Sequence, residues 1–172
     1  MRYLGPGFCL LVLLPGAAGA QTARTDWYRH SLVNVHCDNH SALLGKDVPP
    51  GDLEAMLRQM PITMIQVSAQ SNGYATYPTQ VNLNNPDAAG YDTLAAFKAA
   101  TRVQGKRLCI YMSVDRRPLQ FKLRPEWFAR NADGAPQING EECVCQRPNR
   151  QRQGYLYECF LPQIREIIRR YN

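Results

Sequence analysis

Apolar and polar positions along the chain switch repeatedly between a two-residue and a three-to-four-residue period. Ser31 to His36 (SLVNVH) is a short apolar segment rich in β-branched residues, which predicts a strand. Pro49-Pro50-Gly51-Asp52 then breaks the chain and caps a helix, with Leu53, Met56, Leu57 and Met60 at i, i+3, i+4 and i+7, and Pro61 stops it. Ile62 to Ala69 (ITMIQVSA) predicts a second strand, followed by a loop holding Asn72-Gly73 and Asn85-Pro86. Asp92 or Thr93 can cap a second helix running to Val103, with Leu94, Phe97 and Thr101 on its inner side and Gly105 closing it. Arg107 to Val114 (RLCIYMSV) predicts the third strand. A long polar loop follows, in which Pro125-Glu126-Trp127 reads as a short helical turn with proline first and Trp127 as a packing residue. The last helix starts near Tyr155, its apolar stripe being Leu156, Cys159, Phe160, Ile164, Ile167, Ile168 and Tyr171.

The order is therefore β-α-β-α-β-loop-α, with strands too apolar to leave one face wet. Such alternation implies an α/β fold, a parallel sheet joined by right-handed helical crossovers. Two architectures satisfy it: an open doubly wound sheet, or consecutive units of a (β/α)8 barrel. The first strand is not followed by GxGxxG, and GxxxxGK[ST] is absent, so dinucleotide and P-loop versions of the open sheet lack support. Each strand instead runs into a loop that begins with polar and aromatic residues, where parallel α/β folds place their chemistry.

The amino terminus changes the picture of length. Arg2, the apolar run Phe8 to Leu14 (FCLLVLL) and Ala18-Gly19-Ala20 make residues 1–20 a secretory signal peptide, the alternative being a buried N-terminal core helix. The expected domain is then residues 21–172, exported to the periplasm or the medium. No later segment approaches the roughly 20 apolar residues of a membrane span, so no membrane association is expected. A chain of 172 residues is too short for a complete eight-fold barrel, which takes about 250.

Composition adds little beyond an ordinary globular protein, at 45% hydrophobic and 20% charged. The net charge of +6 is concentrated near the end, in Arg147, Arg150, Arg152, Arg165, Arg169 and Arg170. Gln, Asn and Pro interleave the first half of that run, which makes it a solvated loop, and no nucleic-acid partner is expected. Of 6 cysteines, Cys9 leaves with the leader, and Cys37, Cys109, Cys143, Cys145 and Cys159 cannot all pair within one chain. Cys109, inside LCIYM, reads as a small buried hydrophobe. A disulfide between Cys143 or Cys145 and Cys159 is open.

Three strand-end segments carry candidate chemistry. In Asn34-Val35-His36-Cys37-Asp38-Asn39-His40, alternate side chains of an extended chain share a face, which groups Asn34, His36, Asp38 and His40. Such a set suits either a metal ion, through two imidazoles and a carboxylate, or the hydroxyls of a polar ligand. A ligand-free turn rich in Asp, Asn and Ser is the third reading. In Gln70 to Thr79 (QSNGYATYPT), Asn72, Tyr74 and Tyr77 offer the amide and aromatic surface that a sugar needs, or else a structural loop with a Tyr packed beneath it. Asp115 closes the third strand, where a carboxylate would face a barrel mouth, with Arg116 or Arg117 as its ion-pair partner.

Taken in order, NVHCDNH, ITMIQVSAQSNGYATYPT, KRLCIYMSVD with PEWFARNADG, and YLYECFLPQIREIIRRY resemble the N-terminal part of a group of secreted bacterial hypothetical glycosyl hydrolases related to the α-L-fucosidases. The resemblance runs from about Trp27 to the end and is carried most specifically by His-x-Asp-x-His and Gly-Tyr-x-x-Tyr-Pro-Thr. It implies the first three β/α units of a TIM barrel, here an incomplete one, acting on O-glycosyl bonds of carbohydrate without a cofactor. It also implies that His36, Asp38, His40, Asn72, Tyr74, Tyr77 and Asp115 line the substrate mouth. Relatives often carry a His pair after the second strand, where this chain has Gln70, Ser71 and Asn72. The resemblance further implies a nucleophilic carboxylate in an Asp-Gly-x-x-x-Asp segment after a fourth strand and an acid/base carboxylate later, past Arg169-Arg170-Tyr171-Asn172. The chain alone is then expected to be inactive. The alternatives are a non-catalytic carbohydrate-binding protein and a metal-dependent hydrolase using His36, Asp38 and His40.

Overall fold

All three apolar runs that read as strands join one sheet in the computed structural model, which describes residues 12–13, 31–35, 43, 45–71, 73–114, 118–139, 141–145 and 151–172. In chain order the elements are β1 (Val12–Leu13), β2 (Leu32–Val35), α1 (Pro50–Gln59), β3 (Met64–Ser68), β4 (Gln70–Ser71), β5 (Tyr74–Ala75) and α2 (Thr93–Val103). Then come β6 (Arg107–Tyr111), α3 (Pro118–Leu123), β7 (Ile138–Asn139), β8 (Glu141–Glu142) and α4 (Leu161–Tyr171). Strands β2, β3 and β6 are parallel, with Asn34 opposite Gln66 and Gln66 opposite Cys109. The sheet order is β1-β6-β3-β2, with β1 antiparallel to β6. Val12–Leu13, inside the expected leader, thus lie along the edge of β6, where unpaired backbone groups accept an extended segment.

The α/β class expected from the sequence is what the molecule shows. The barrel is not closed: among the described residues the sheet is open, with β1 and β2 at its two edges. Alternation along the strands divides their side chains into two layers. Val33, Val35, Ile65, Val67, Leu108 and Ile110 face a core shared with Leu53 and Leu57 of α1 and Leu94, Phe97 and Ala100 of α2. Every residue of β3 is buried, so this central strand shows none of the wet-and-dry alternation of a surface strand. Burying a side chain such as Ile65 or Leu57 contributes about 1.5–3 kcal/mol, which makes this layer the source of the sheet's stability.

Helix boundaries follow local chemistry. Pro49 occupies the cap position of α1 without any side-chain hydrogen bond, and Asp52, expected to cap, lies in the first turn instead. There its charge complements the positive end of the helix dipole. Leu53 and Leu57 are buried as the apolar stripe predicts, but Met56 is 42% exposed, because the buried face of this short helix is only two residues wide. For α2 the choice of cap is settled in favour of Asp92, whose carboxylate accepts the Ala95 N–H at 2.9 Å. Cys109 is buried, as its apolar setting predicts. The final helical segment opens with a wide π turn over Leu156–Phe160. Pro162 follows and has no N–H to return to Glu158, so the turn ahead of it widens without losing a regular bond. Ile168, placed in the stripe by spacing, is 39% exposed.

Candidate functional site

Among the described residues, the connections that leave the carboxyl ends of β3 and β6 are built in opposite ways. The first, after β3, begins as the hairpin β4–β5 turned through Gly73 at φ +86°. It is pinned from beneath by amides. Gln163, fully buried on α4, accepts from the Gln70 side-chain amide and from Asn82 Nδ2 at 3.4 Å, and it donates to the Tyr77 hydroxyl at 3.3 Å. Gln120 of α3 donates to the Gly73 carbonyl and, at 3.3 Å, to Asn82 Oδ1. Glu166, one turn along α4 from Gln163, accepts the Gln80 N–H at 2.8 Å, the Tyr77 hydroxyl at 3.1 Å and the Thr79 hydroxyl. The end of α4 closes on the same elements: Arg170 donates to the Pro78 carbonyl, and the Tyr171 hydroxyl donates to Asp92 at 2.8 Å.

This setting decides the role of Tyr77. The sequence offered it either as a platform for a sugar or as a ring packed under the loop, and it is the latter: 2% exposed, edge-on to Tyr171 at 5.8 Å. Its hydroxyl is held between Gln163 and Glu166. Burial, and secondarily the Glu166 carboxylate, push its phenol well above the ordinary range. Tyr171 is raised in the same sense by burial and then by its hydrogen bond to Asp92. The ring offers no face to a ligand. Tyr74, in β5, is half-buried.

The second connection, after β6, is open and charged. It runs through α3, a 3-10 turn at Pro125–Trp127 and the short hairpin β7–β8. A cleft of about 470 Å³ lies along it, lined by Arg124, Glu126, Trp127, Cys145, Gly154 and Glu158 among others. Arg124 pairs with Glu126 and, at 2.9 Å, with Glu158, and its guanidinium stacks 4.4 Å above the Trp127 ring. The Gly154 N–H, followed by Arg124, holds the Glu158 carboxyl below its usual range, and Arg124 does the same for Glu126. Trp127 is 8% exposed and packs against Tyr155 at 5.8 Å, as its expected packing role requires. Its indole N–H is buried with no hydrogen bond of good geometry, although it lies near enough to Glu158 to help lower that carboxyl.

His36, Asp38, His40, Asn72 and Asp115 lie outside the described residues. Among the described residues, no three His, Cys, Asp or Glu side chains gather as a metal-binding group. Arg124, Glu158, Gln120, Gln163 and Glu166 were missed by sequence reasoning. One signal was present: Gln163 stands in the apolar stripe four residues from both Cys159 and Ile167, where an amide needs a buried partner.

Fold and site together define an α/β protein in which, among the described residues, the parallel strands β3 and β6 carry one locked and one open loop at their carboxyl ends. No protein-family model matches the chain, and no curated protein matches it in sequence. Among solved structures it is similar to α-L-fucosidase isoenzyme 2 from Paenibacillus thiaminolyticus, at 22% identity and a TM-score of 0.62 over 81% of this chain. The chain spans 22% of the length of that fucosidase. The likeness is one of fold.

Proposed function

We propose that this chain is part of an exported glycoside hydrolase-like protein that holds a carbohydrate at the carboxyl end of its parallel sheet, with an α-L-fucoside as the leading substrate class. The observation that carries this reading is the fold likeness to an α-L-fucosidase over 81% of the chain. The locked loop after β3 supports it, since a sugar site needs strand-end groups held in fixed positions. The expected mouth residues His36, Asp38, His40, Asn72, Tyr74 and Asp115 would supply polar contacts, and Tyr77 would act by supporting the loop from below.

Hydrolysis needs one carboxyl held protonated as the general acid and a second as nucleophile or base. Glu126 and Glu158 do not meet the first requirement. Arg124 and the Gly154 N–H keep them ionised, and both are committed to the same guanidinium. Glu126 and Glu158 are therefore not the catalytic pair, and the 172-residue chain is expected to bind without turnover. Purified chain incubated with 4-nitrophenyl α-L-fucoside should release no nitrophenol, while saturation-transfer NMR should detect L-fucose on the protein. Sustained release of nitrophenol would place a catalytic pair within this chain. Absence of any sugar signal would remove the carbohydrate reading itself.

A further inference from the structure

We propose that the groove between α2 and α4, bounded by Lys98, Arg102 and Arg170, binds an acidic polysaccharide, whose anionic groups pair with arginines on the exposed faces of the two helices. The inference rests on the carbohydrate reading above. It adds a second surface, on the helical layer rather than at the strand ends, and a charge on the ligand.

These helices carry cations and almost no acid. Helix α2 (TLAAFKAATRV) contains no Asp or Glu, and α4 (LPQIREIIRRY) contains only Glu166. Glu166 is committed to Tyr77, Thr79 and Gln80. Asp92, at the end of the groove, is held by Arg170 at 3.1 Å and by the Tyr171 hydroxyl at 2.8 Å. Lys98 donates to the Asn172 carbonyl at 3.3 Å. Arg102, Arg165 and Arg169 are exposed and make no ion pair among the described residues. With both nearby carboxylates engaged, the charge of these three guanidinium groups is left for a partner.

Shape and spacing narrow the class of anion. The groove holds about 350 Å³, and Ala95 and Ala99 line it, so short methyl side chains leave room between the cations. Lys98 and Arg102 are four residues apart, as are Arg165 and Arg169, which sets successive cations about 5–6 Å from one another along each helix. A polymer with one acid group on each sugar ring repeats on a comparable length and can meet several of them at once. An acidic protein would need a large exposed apolar or aromatic anchor, and a single-stranded nucleic acid an exposed ring for its bases. Tyr171, the aromatic residue of the lining, is 2% exposed and serves neither.

Fluorescence anisotropy of a labelled oligogalacturonate titrated with the purified chain tests this at low and at physiological salt. The expected result is saturable binding that weakens as salt is added. Arg102→Glu and Arg169→Glu should each weaken it about tenfold, the loss of one charge-assisted contact. Arg58→Glu makes the same change of net charge on the exposed side of α1 and should leave binding nearly unchanged. All three positions are exposed, and circular dichroism verifies that each variant is folded. Equal weakening by Arg58→Glu would overturn the inference, because net charge and not this groove would be the cause. Binding of poly-L-glutamate or oligothymidylate as tight as that of oligogalacturonate would overturn the polysaccharide class. No binding of oligogalacturonate, with L-fucose still detected by saturation-transfer NMR, would overturn the inference alone and leave the carbohydrate reading standing. Absence of both would overturn the two together.

Discussion

The loops after β3 and after β6 leave the same end of one sheet, yet one is sealed and the other is open. Beneath the first, side-chain amides, hydroxyls and the Glu166 carboxylate answer one another, the Gln120 side-chain oxygen excepted, and Tyr77 is buried among them. Along the second, the ion pairs of Arg124 with Glu126 and Glu158 are solvent-exposed. Polar groups satisfied in the interior fix geometry, because any movement strands them. Polar groups at an open cleft remain available for exchange with a ligand. The pairing of a rigid support with a receptive rim is what a strand-end binding site requires, and each of the following changes tests one side of it.

The largest effect should come from Gln163→Leu. The new side chain fills similar volume but removes the hydrogen bonds that Gln163 makes to the Gln70 amide, to Asn82 and to the Tyr77 hydroxyl, which keeps only Glu166. A stability loss of about 3 kcal/mol is expected, the cost of three interior hydrogen bonds at about 1 kcal/mol each. Urea unfolding followed by circular dichroism checks this. A loss no greater than that of an exposed substitution would mean that the loop after β3 is not held by α4.

Gly73→Ala should follow. The backbone there sits at φ +86°, and an added Cβ would stand 2.6 Å from the Gln120 side-chain oxygen. Left-handed strain together with displacement of Gln120 should amount to roughly 2 kcal/mol. Thermal unfolding measures it, and an unshifted midpoint would show that the hairpin can re-form without Gln120.

Tyr77→Phe probes the same network more gently, removing one hydroxyl shared by Gln163 and Glu166 for about 1 kcal/mol. The sign of its pH dependence follows from the raised phenol. A group whose folded pKa exceeds its unfolded value stabilises fully below the unfolded pKa, about 10 for tyrosine, and loses that contribution as pH rises through the folded value. Tyr77 and Tyr171 should therefore remain protonated while exposed tyrosines ionise, and should titrate only with unfolding. Absorbance at alkaline pH should show two phases, the later one coincident with loss of circular dichroism. A single early phase would contradict the buried setting.

How far the sequence disclosed this arrangement depends on the range of the interaction concerned. Strands β2, β3 and β6 and helices α1, α2 and α4 were legible, because periodicity, Pro61, Asp92 and Gly105 act within a turn or two. Helix α3 and the hairpins β4–β5 and β7–β8 were not, since their runs are short and polar and their pairing depends on neighbours such as Gln120. Trp127 was correctly expected to pack, whereas the guanidinium over its ring emerges only when Arg124 pairs with Glu158, 34 positions later in sequence. Tyr77 had two sequence readings that no local rule distinguishes; burial under α4, contributed by residues about 90 positions later, settles its place. His36, Asp38, His40, Asn72 and Asp115 remain expectations of the sequence.

The smallest effect on stability should come from the open side of the comparison. Arg124→Gln breaks two ion pairs, but its side chain is 45% exposed and Glu126 is more exposed still, so solvent screens both charges and the unfolding midpoint should move less than for any change above. The consequence should instead be local and dependent on pH. Glu158 has a folded pKa below its unfolded value, so its contribution is present above the ordinary glutamate value, about 4.3, and is lost as pH falls through the folded value. In the Trp27→Phe background, acidification below that range should change Trp127 fluorescence before circular dichroism changes, as the clamp over the indole opens. Arg124→Gln should abolish this optical transition, because the guanidinium over the indole is gone, while the Glu158 carboxyl followed by NMR should titrate at higher pH, because one of the groups holding it low is lost. If Arg124→Gln instead destabilised the chain as much as Gln163→Leu, the loop after β6 would be structural in the same sense as the loop after β3, and the division between support and rim would fail.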